Sequence, residues 1–304
     1  MAWRTVVISK PARLRYKTKG LVVEQDEGRS SVPLEDIACL IIDNPQITIT
    51  GQLLSACADN CIAVISVDDT HTPNGLFLPY LPHSRALKVM RMQLAISLPH
   101  KKRIWQYIIK QKLLNQSEVA LLYGHKETAM NLRSMASRVK SGDTENLEAW
   151  GAQIYFSALF GKKFSRGADV FLNGALNYGY AIVRSAIARS LVSFGFLTAL
   201  GIHHNNEQNA FNLADDLLEP YRPLIDNHVI GLIIQDSETE ELDATFKAAL
   251  AGILHRDVTR ITNGGEDGKS TVLALIDTTV ISLSKSMAEN VPDMVLPGIF
   301  ANKQ

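Results

Sequence analysis

Cysteine is nearly absent, with three in 304 residues. Three thiols cannot build a disulfide framework, so a reducing, cytoplasmic setting is expected. No apolar run reaches the ~18 residues of a membrane span, which excludes a membrane partner on this reading. The longest candidate, Gly174 to Ile202, is broken by Arg184 and Arg189. The N-terminus alternates like a strand and lacks a charged n-region and an apolar h-region, so no signal peptide is expected. There is no repeat at a solenoid period and no low-complexity tract. Net charge is absent too, with 31 basic and 31 acidic residues. What is present is 46% hydrophobic and 20% charged. That is a globular composition with enough apolar residues for a sizeable core and a length of about two domains, and it excludes a disordered chain, a collagen and a coiled coil.

The neutral total conceals a segregation of charge. Residues 85–140 hold twelve Lys/Arg and only Glu118 and Glu127 as acids. Residues 205–245 hold ten acids and one Arg. The basic segment suits a polyanion partner or, equally, a solvated helix face.

The pattern predicts an α+β chain. Residues 1–75 form a small β-rich N-terminal domain, with Trp3–Ile8, Leu14–Lys17, Gly20–Glu24, Leu40–Ile42, Ile47–Thr50 and Ala63–Val67 as strands and a short helix near Gln52–Asn60. A Pro- and Gly-rich break over 68–84 suits neither regular structure, and residues 76–85 read as a linker. Residues 86–304 read as a larger all-helical domain, interrupted at Asn263–Gly268 and ending in a helix from about Ser270 to Glu289.

Three local signals are weak. Cys57 and Cys61 share a face of the short helix but lack a second ligand pair, so they read as buried apolar residues. Gly268-Lys269-Ser270 ends like a phosphate loop, but Asn263 stands where its first Gly belongs. No Gly-x-Ser-x-Gly elbow is present.

Two segments combine acids and histidine in a way that calls for chemistry. In Asp143–Gly151, Asp143 suits an N-cap, and Leu147, Trp150, Gly151 and Ile154 suit a buried stripe. Glu148 then sits at the core edge, where it is either solvated or met by a cation. In the second, His203-His204 closes an apolar helix, and Asp216 and Glu219, three apart, share a helical face while Asp215 points elsewhere. Such a set reads either as an acidic face with a capping His or as an oxygen-rich site for magnesium or manganese.

The following strings carry a resemblance: Val32-Pro33-Leu34-Glu35-Asp36-Ile37, Leu40-Ile41-Ile42-Asp43, Asn146-Leu147-Glu148-Ala149-Trp150, Leu172-Asn173-Gly174-Ala175-Leu176-Asn177-Tyr178-Gly179-Tyr180, Ala199-Leu200-Gly201-Ile202-His203-His204 and Phe211-Asn212-Leu213-Ala214-Asp215-Asp216-Leu217-Leu218-Glu219-Pro220-Tyr221-Arg222-Pro223. In this order they cover nearly the whole chain. They resemble the CRISPR-associated adaptation integrases, the larger catalytic proteins of spacer acquisition, in the version found with single-protein (type II) effector systems. The resemblance implies a metal-dependent DNA endonuclease and integrase, in which the 3′-hydroxyl of a short DNA fragment attacks a phosphodiester at the edge of a CRISPR repeat. It implies Mg2+ or Mn2+ held by Glu148, His204 and Glu219, with Asp216 assisting and His203 as the fallback for His204. Glu219 stands where the family often has Asp. The resemblance also implies a homodimer, with the N-terminal domain serving dimerisation, bridged by a small companion adaptation protein. Charge then suggests that Lys101, Lys102, Arg103, Lys162, Lys163 and Arg166 track DNA phosphates, while Tyr178 and Tyr180 read as packing residues or phosphate contacts. A plain metal-dependent nuclease on branched or single-stranded DNA, and a non-catalytic DNA-binding scaffold, are the competing readings.

Overall fold

The computed structural model describes residues 4–68, 73–80, 83–167, 171–235 and 241–300. Its first part comprises β1 (Arg4–Ile8), β2 (Arg13–Lys17), β3 (Gly20–Gln25), β4 (Gly28–Pro33), β5 (Ile37–Ile42), β6 (Thr48–Ile49), α1 (Gly51–Asp59), β7 (Ala63–Val67) and β8 (Pro73–Phe77). One sheet runs β1-β5-β7-β8, with β8 alone antiparallel to its neighbour. The other runs β4-β3-β2-β6. Thr18 and Lys19, both at positive φ, make the two-residue turn between β2 and β3.

The apolar run of β5 is explained by coverage on both faces. Ile37 and Leu40 pack with Leu14, Leu21 and Leu53 in a small N-terminal core. Ala38 and Ile41 join Ile65 and the helices in a larger core. A buried ion pair adds to this joint, with Lys247 Nζ 2.9 Å from Asp43 Oδ2 at the end of β5.

The larger part comprises α2 (Ala86–Ala95), α3 (Leu98–Leu122), α4 (Lys126–Arg138), α5 (Leu147–Phe160), α6 (Phe171–Ser193), α7 (Asn212–Leu218), α8 (Arg222–Gln235), α9 (Ala244–Ala251), β9 (Asp257–Thr262), β10 (Gly265–Thr271), α10 (Val272–Glu289) and β11 (Leu296–Phe300). The expected division into a β N-terminal region and a larger helical C-terminal region is what the structure has. Helix α3 runs through the larger core, burying Trp105, Ile108, Ile109, Leu113, Val119 and Ala120. Its first turn is set by Ser97, whose hydroxyl accepts from the His100 N–H, and by Pro99.

Several local expectations are corrected. The helical part is not all-helical, because β9, β10 and β11 form a three-stranded antiparallel sheet. The charged residues of Asp257-Val258-Thr259-Arg260-Ile261-Thr262 argue against a strand buried on both faces, but an antiparallel strand tolerates them on its open face. Gly268-Lys269-Ser270 lies within β10 and not at a strand-to-helix turn. The break over 68–84 contains β8, which crosses the expected boundary at residue 75; Pro73 is allowed there because β8 is an edge strand. Strand β4 is unheralded in the pattern because Gly28-Arg29-Ser30-Ser31 is polar and exposed. Cys61 lies beyond the end of α1, so it shares no helical face with Cys57. Among the described residues no helix is long and apolar enough to cross a membrane.

Candidate active site

Helix α3 supplies the centre of the site and α5 its first carboxylate. The Asp143 carboxylate accepts the N–H groups of Leu147 at 3.0 Å and Glu148 at 2.9 Å. It therefore caps α5 from upstream, whereas the adjacent cap position is Asn146 in the left-handed region, not Asp143 as its type suggested. One turn later Gly151 lets α5 approach α3 closely, since a Cβ there would lie 2.3 Å from Leu113 Cδ2. Trp150 was expected in the buried stripe but is 57% exposed. The result of this packing is that Glu148 faces Lys112.

Lys112 is 4% exposed. Its Nζ donates to Glu148 Oε1 at 2.5 Å and also to Glu219 Oε2. The second oxygen of Glu219 accepts from Arg222 Nε at 2.8 Å. Burial disfavours charge on Lys112 and on Glu219, but mutual attraction outweighs it. Burial pushes the Lys112 ammonium down, yet Glu219 and then Glu148 leave it above the ordinary lysine value. Burial likewise pushes Glu219 up, yet Lys112 and Arg222 hold its carboxyl down at about 2. Lys112 belongs to the basic segment 85–140 that suits a polyanion partner or a solvated face, and its burial against two carboxylates fits neither expectation. A signal was available: Trp105, Ile108, Lys112, Gln116 and Val119 recur at helical spacing along the core-facing stripe, and a lysine in such a stripe must meet a carboxylate.

The histidines do not end a helix. Helix α6 stops at Ser193, and His203 and His204 lie in the segment before α7. Gln93 on α2 donates to the carbonyls of Leu197 and Leu200 and accepts from the Leu197 N–H. Lys101 donates to the Gly201 carbonyl at 2.9 Å. Asp216, fully buried on α7, accepts from the N–H groups of Ile202, His203 and His204 at 2.5, 3.1 and 3.0 Å. Gly201 makes this approach possible, because a Cβ there would lie 2.2 Å from the His204 carbonyl and 2.9 Å from Asp216 Oδ2.

The same carboxylate meets the imidazole of His204, with Nδ1 2.7 Å from Asp216 Oδ1. An ionised carboxylate only accepts, so Nδ1 carries the proton and Nε2 is left for other chemistry. This bond, against the effect of burial, raises the His204 pKa above 6.5. His203 instead stacks flat on Trp105, with ring centroids 4.1 Å apart and planes within 4°. Both residues donate a backbone N–H to Asp216, but of the two imidazoles it is that of His204 that bonds the carboxylate. Asp215 points away, as expected, and pairs with Arg184 at 2.6 Å.

The remaining basic candidates divide. Lys102, Arg103, Lys162 and Lys163 are exposed. Arg166 donates to Asn173 at 2.9 Å and Asn177 at 2.7 Å, one turn apart on α6, and its guanidinium lies 5.2 Å from the Tyr180 ring centre. Tyr178 and Tyr180 are buried, and Tyr180 donates to the buried Asp226.

As arranged, the donors form no cluster of three or more His, Cys, Asp or Glu that closes on one metal position among the described residues. The donor chemistry nevertheless fits a hard divalent ion. Glu148 and Glu219 already converge on one cation, the Lys112 ammonium, and Nε2 of His204 is the free ring nitrogen.

Comparison with known proteins places the chain in a family. Residues 5–261 match the family described as "CRISPR associated protein Cas1". A protein of Neisseria meningitidis serogroup C (strain 8013), named CRISPR-associated endonuclease Cas1, is 42% identical over 100% of this chain and 99% of its own length. CRISPR-associated endonuclease Cas1 2 of Pyrobaculum aerophilum is 26% identical over 81% of this chain and 87% of its own. The fold is shared with a CAS1 protein from Thermotoga maritima, at a TM-score of 0.74 and 14% identity over 99% of this chain and all of that one. It is also shared with a casposase bound to integration product, at a TM-score of 0.74 and 18% identity over 95% of this chain and 91% of that one. With a family match running from the first strand into β9 and a relative aligned from end to end, the chain belongs to the CRISPR-associated protein Cas1 family.

Proposed function

We propose that this protein is a metal-dependent DNA endonuclease and integrase that inserts short DNA fragments into a CRISPR array. The observation that carries the reading is the convergence of Glu148 and Glu219 on a single cation beside a histidine whose Nδ1 is held by buried Asp216. Glu148, Glu219 and Nε2 of His204 would hold Mg2+ or Mn2+. When bound, the ion would lower the pKa of an attacking hydroxyl and neutralise charge on the phosphodiester oxygens. Asp216 touches no substrate on this reading; it fixes the tautomer and direction of His204 and, through three backbone N–H groups, the loop that carries it. Arg222 fixes the second oxygen of Glu219. A 3′-hydroxyl as nucleophile gives strand joining, and water at the same site gives cleavage. The exposed Lys102, Arg103, Lys162 and Lys163 suit sequence-independent phosphate contacts.

The partners proposed are the incoming fragment, the repeat DNA, a second copy of the chain and a small companion adaptation protein. The last is supported by a fold neighbour described as a Cas6-RT-Cas1--Cas2 complex, at a TM-score of 0.75, 19% identity and 95% coverage of this chain. The test is an integration assay on labelled fragment and repeat DNA, with and without the companion protein. Glu148→Ala, His204→Ala and Glu219→Ala should each abolish strand transfer while the protein remains folded. Near-normal transfer by any one of them removes that residue from the site.

A further inference from the structure

Lys112 has no part in the reaction just described, yet it stands at its centre. Its ammonium contacts both proposed metal carboxylates and is almost wholly buried. The local charges alternate, Glu148 and Glu219 against Lys112 and Arg222. Two carboxylates facing one another without a cation would repel strongly in such a place. Arg222 does not fill that role alone, because it bonds Glu219 Oε1 while Lys112 bonds Oε2 and Glu148.

We propose that Lys112 is the resident counter-ion of the metal-free site, and that a divalent ion binds by displacing its ammonium from at least one of the two carboxylates. This rests on the assignment of Glu148 and Glu219 as ligands. The oxygens that would face the ion are the ones that face Nζ, and a dication and an ammonium within a few ångströms of one another repel. The exchange leaves the Arg222 bond intact, since that bond uses the other oxygen of Glu219. Lys112 therefore holds the two carboxylates in register before metal arrives and lowers the affinity with which metal is taken up. Breaking a buried pair from one side is destabilising, so its removal also weakens the metal-free protein.

The experiment is a Mn2+ titration of metal-free protein, read by the EPR signal of free Mn2+ and by melting temperature, on wild type, Glu148→Ala and Lys112→Met. Wild type should bind Mn2+ at a site that Glu148→Ala destroys. Lys112→Met should melt lower without metal, bind Mn2+ at least about tenfold more tightly, and gain more from it in melting temperature. A folded Lys112→Met that binds Mn2+ no more tightly than wild type overturns the proposal. Absence in wild type of any binding sensitive to Glu148→Ala would instead bring down the ligand assignment, and this inference with it. Should Lys112→Met fail to fold, wild-type crystals soaked in Mn2+ decide the matter. Nζ displaced from Glu148 or Glu219 supports the exchange, and an anomalous manganese peak on both carboxylates with Nζ still bonded to both refutes it.

Discussion

Replacing Asp216 by Asn changes one atom of a fully buried side chain and tests whether the histidine loop is held electrostatically. The Asp216 carboxylate accepts four hydrogens, three from backbone N–H groups and one from the His204 ring. An Asn carbonyl accepts two, and its NH2 group accepts none, so two donors lose their partner and face a like dipole. A hydrogen bond to a charged group is worth about 1.5–3 kcal/mol, which gives a loss of roughly 3–6 kcal/mol. For a chain of 304 residues that corresponds to a melting temperature lower by roughly 5–9 °C. His204 also loses the acceptor that fixes its tautomer, so DNA cleavage and joining should fall even where the protein is fully folded. The assays are thermal unfolding without metal and strand transfer well below the new melting temperature. An Asp216→Asn protein that melts within about 1 kcal/mol of wild type and joins DNA normally would refute the idea that this carboxylate organises the loop.

Other expectations follow from the same geometry. Gly151→Ala puts a Cβ against Leu113 and should cost about 1–3 kcal/mol, with a loss of activity as α5 shifts Glu148 relative to Glu219; an unchanged denaturation midpoint counts against the close packing of α5 on α3. His203→Ala should lose the stack on Trp105 but keep more strand transfer than His204→Ala, and the reverse order would exchange their roles. A depressed carboxyl contributes stability that is present above its unfolded pKa and lost as pH falls through its folded one. The Glu219 contribution should therefore disappear between pH 4.5 and about 2, and acid unfolding of Glu219→Gln should lack that component. For His204 the sign is opposite, because its raised pKa gives stability that is complete below pH 6.5 and lost as pH rises through the folded value. Metal-free stability should accordingly decline over that range, less so in Asp216→Asn. Lys102→Ala with Arg103→Ala should weaken DNA binding and make the log–log salt slope shallower by about 1–2, and an unchanged slope in a salt titration would make these residues a solvated face. Lys101→Ala should instead act through the histidine loop, lowering stability and strand transfer.

The sequence by itself determined the order and kind of most elements, because strand alternation and helical spacing are local properties. Ala63–Val67 and the short helix after Thr50 are read directly from such patterns. It also carried the family strings, and with them Glu148, Asp216 and Glu219. The strand at Pro73–Phe77 was not legible because Pro73 and Gly75 read as breakers, although its partner β7 is close by, and the sheet containing Asp257–Thr262 was not legible because one of its strands, β11, arrives only after α10. The same limit applies within the site. Helical spacing marks Lys112 as a residue of the core-facing stripe of α3, but it does not name the partners, which are 36 and 107 positions away. Spacing showed that Asp216 and Glu219 share a face, but only tertiary packing turned one toward His204 and the other toward Lys112 and Arg222. Burial then strengthened the interaction, because removing water is what gives the Lys112 charge on α3 its hold on the Glu219 carboxyl beyond α7.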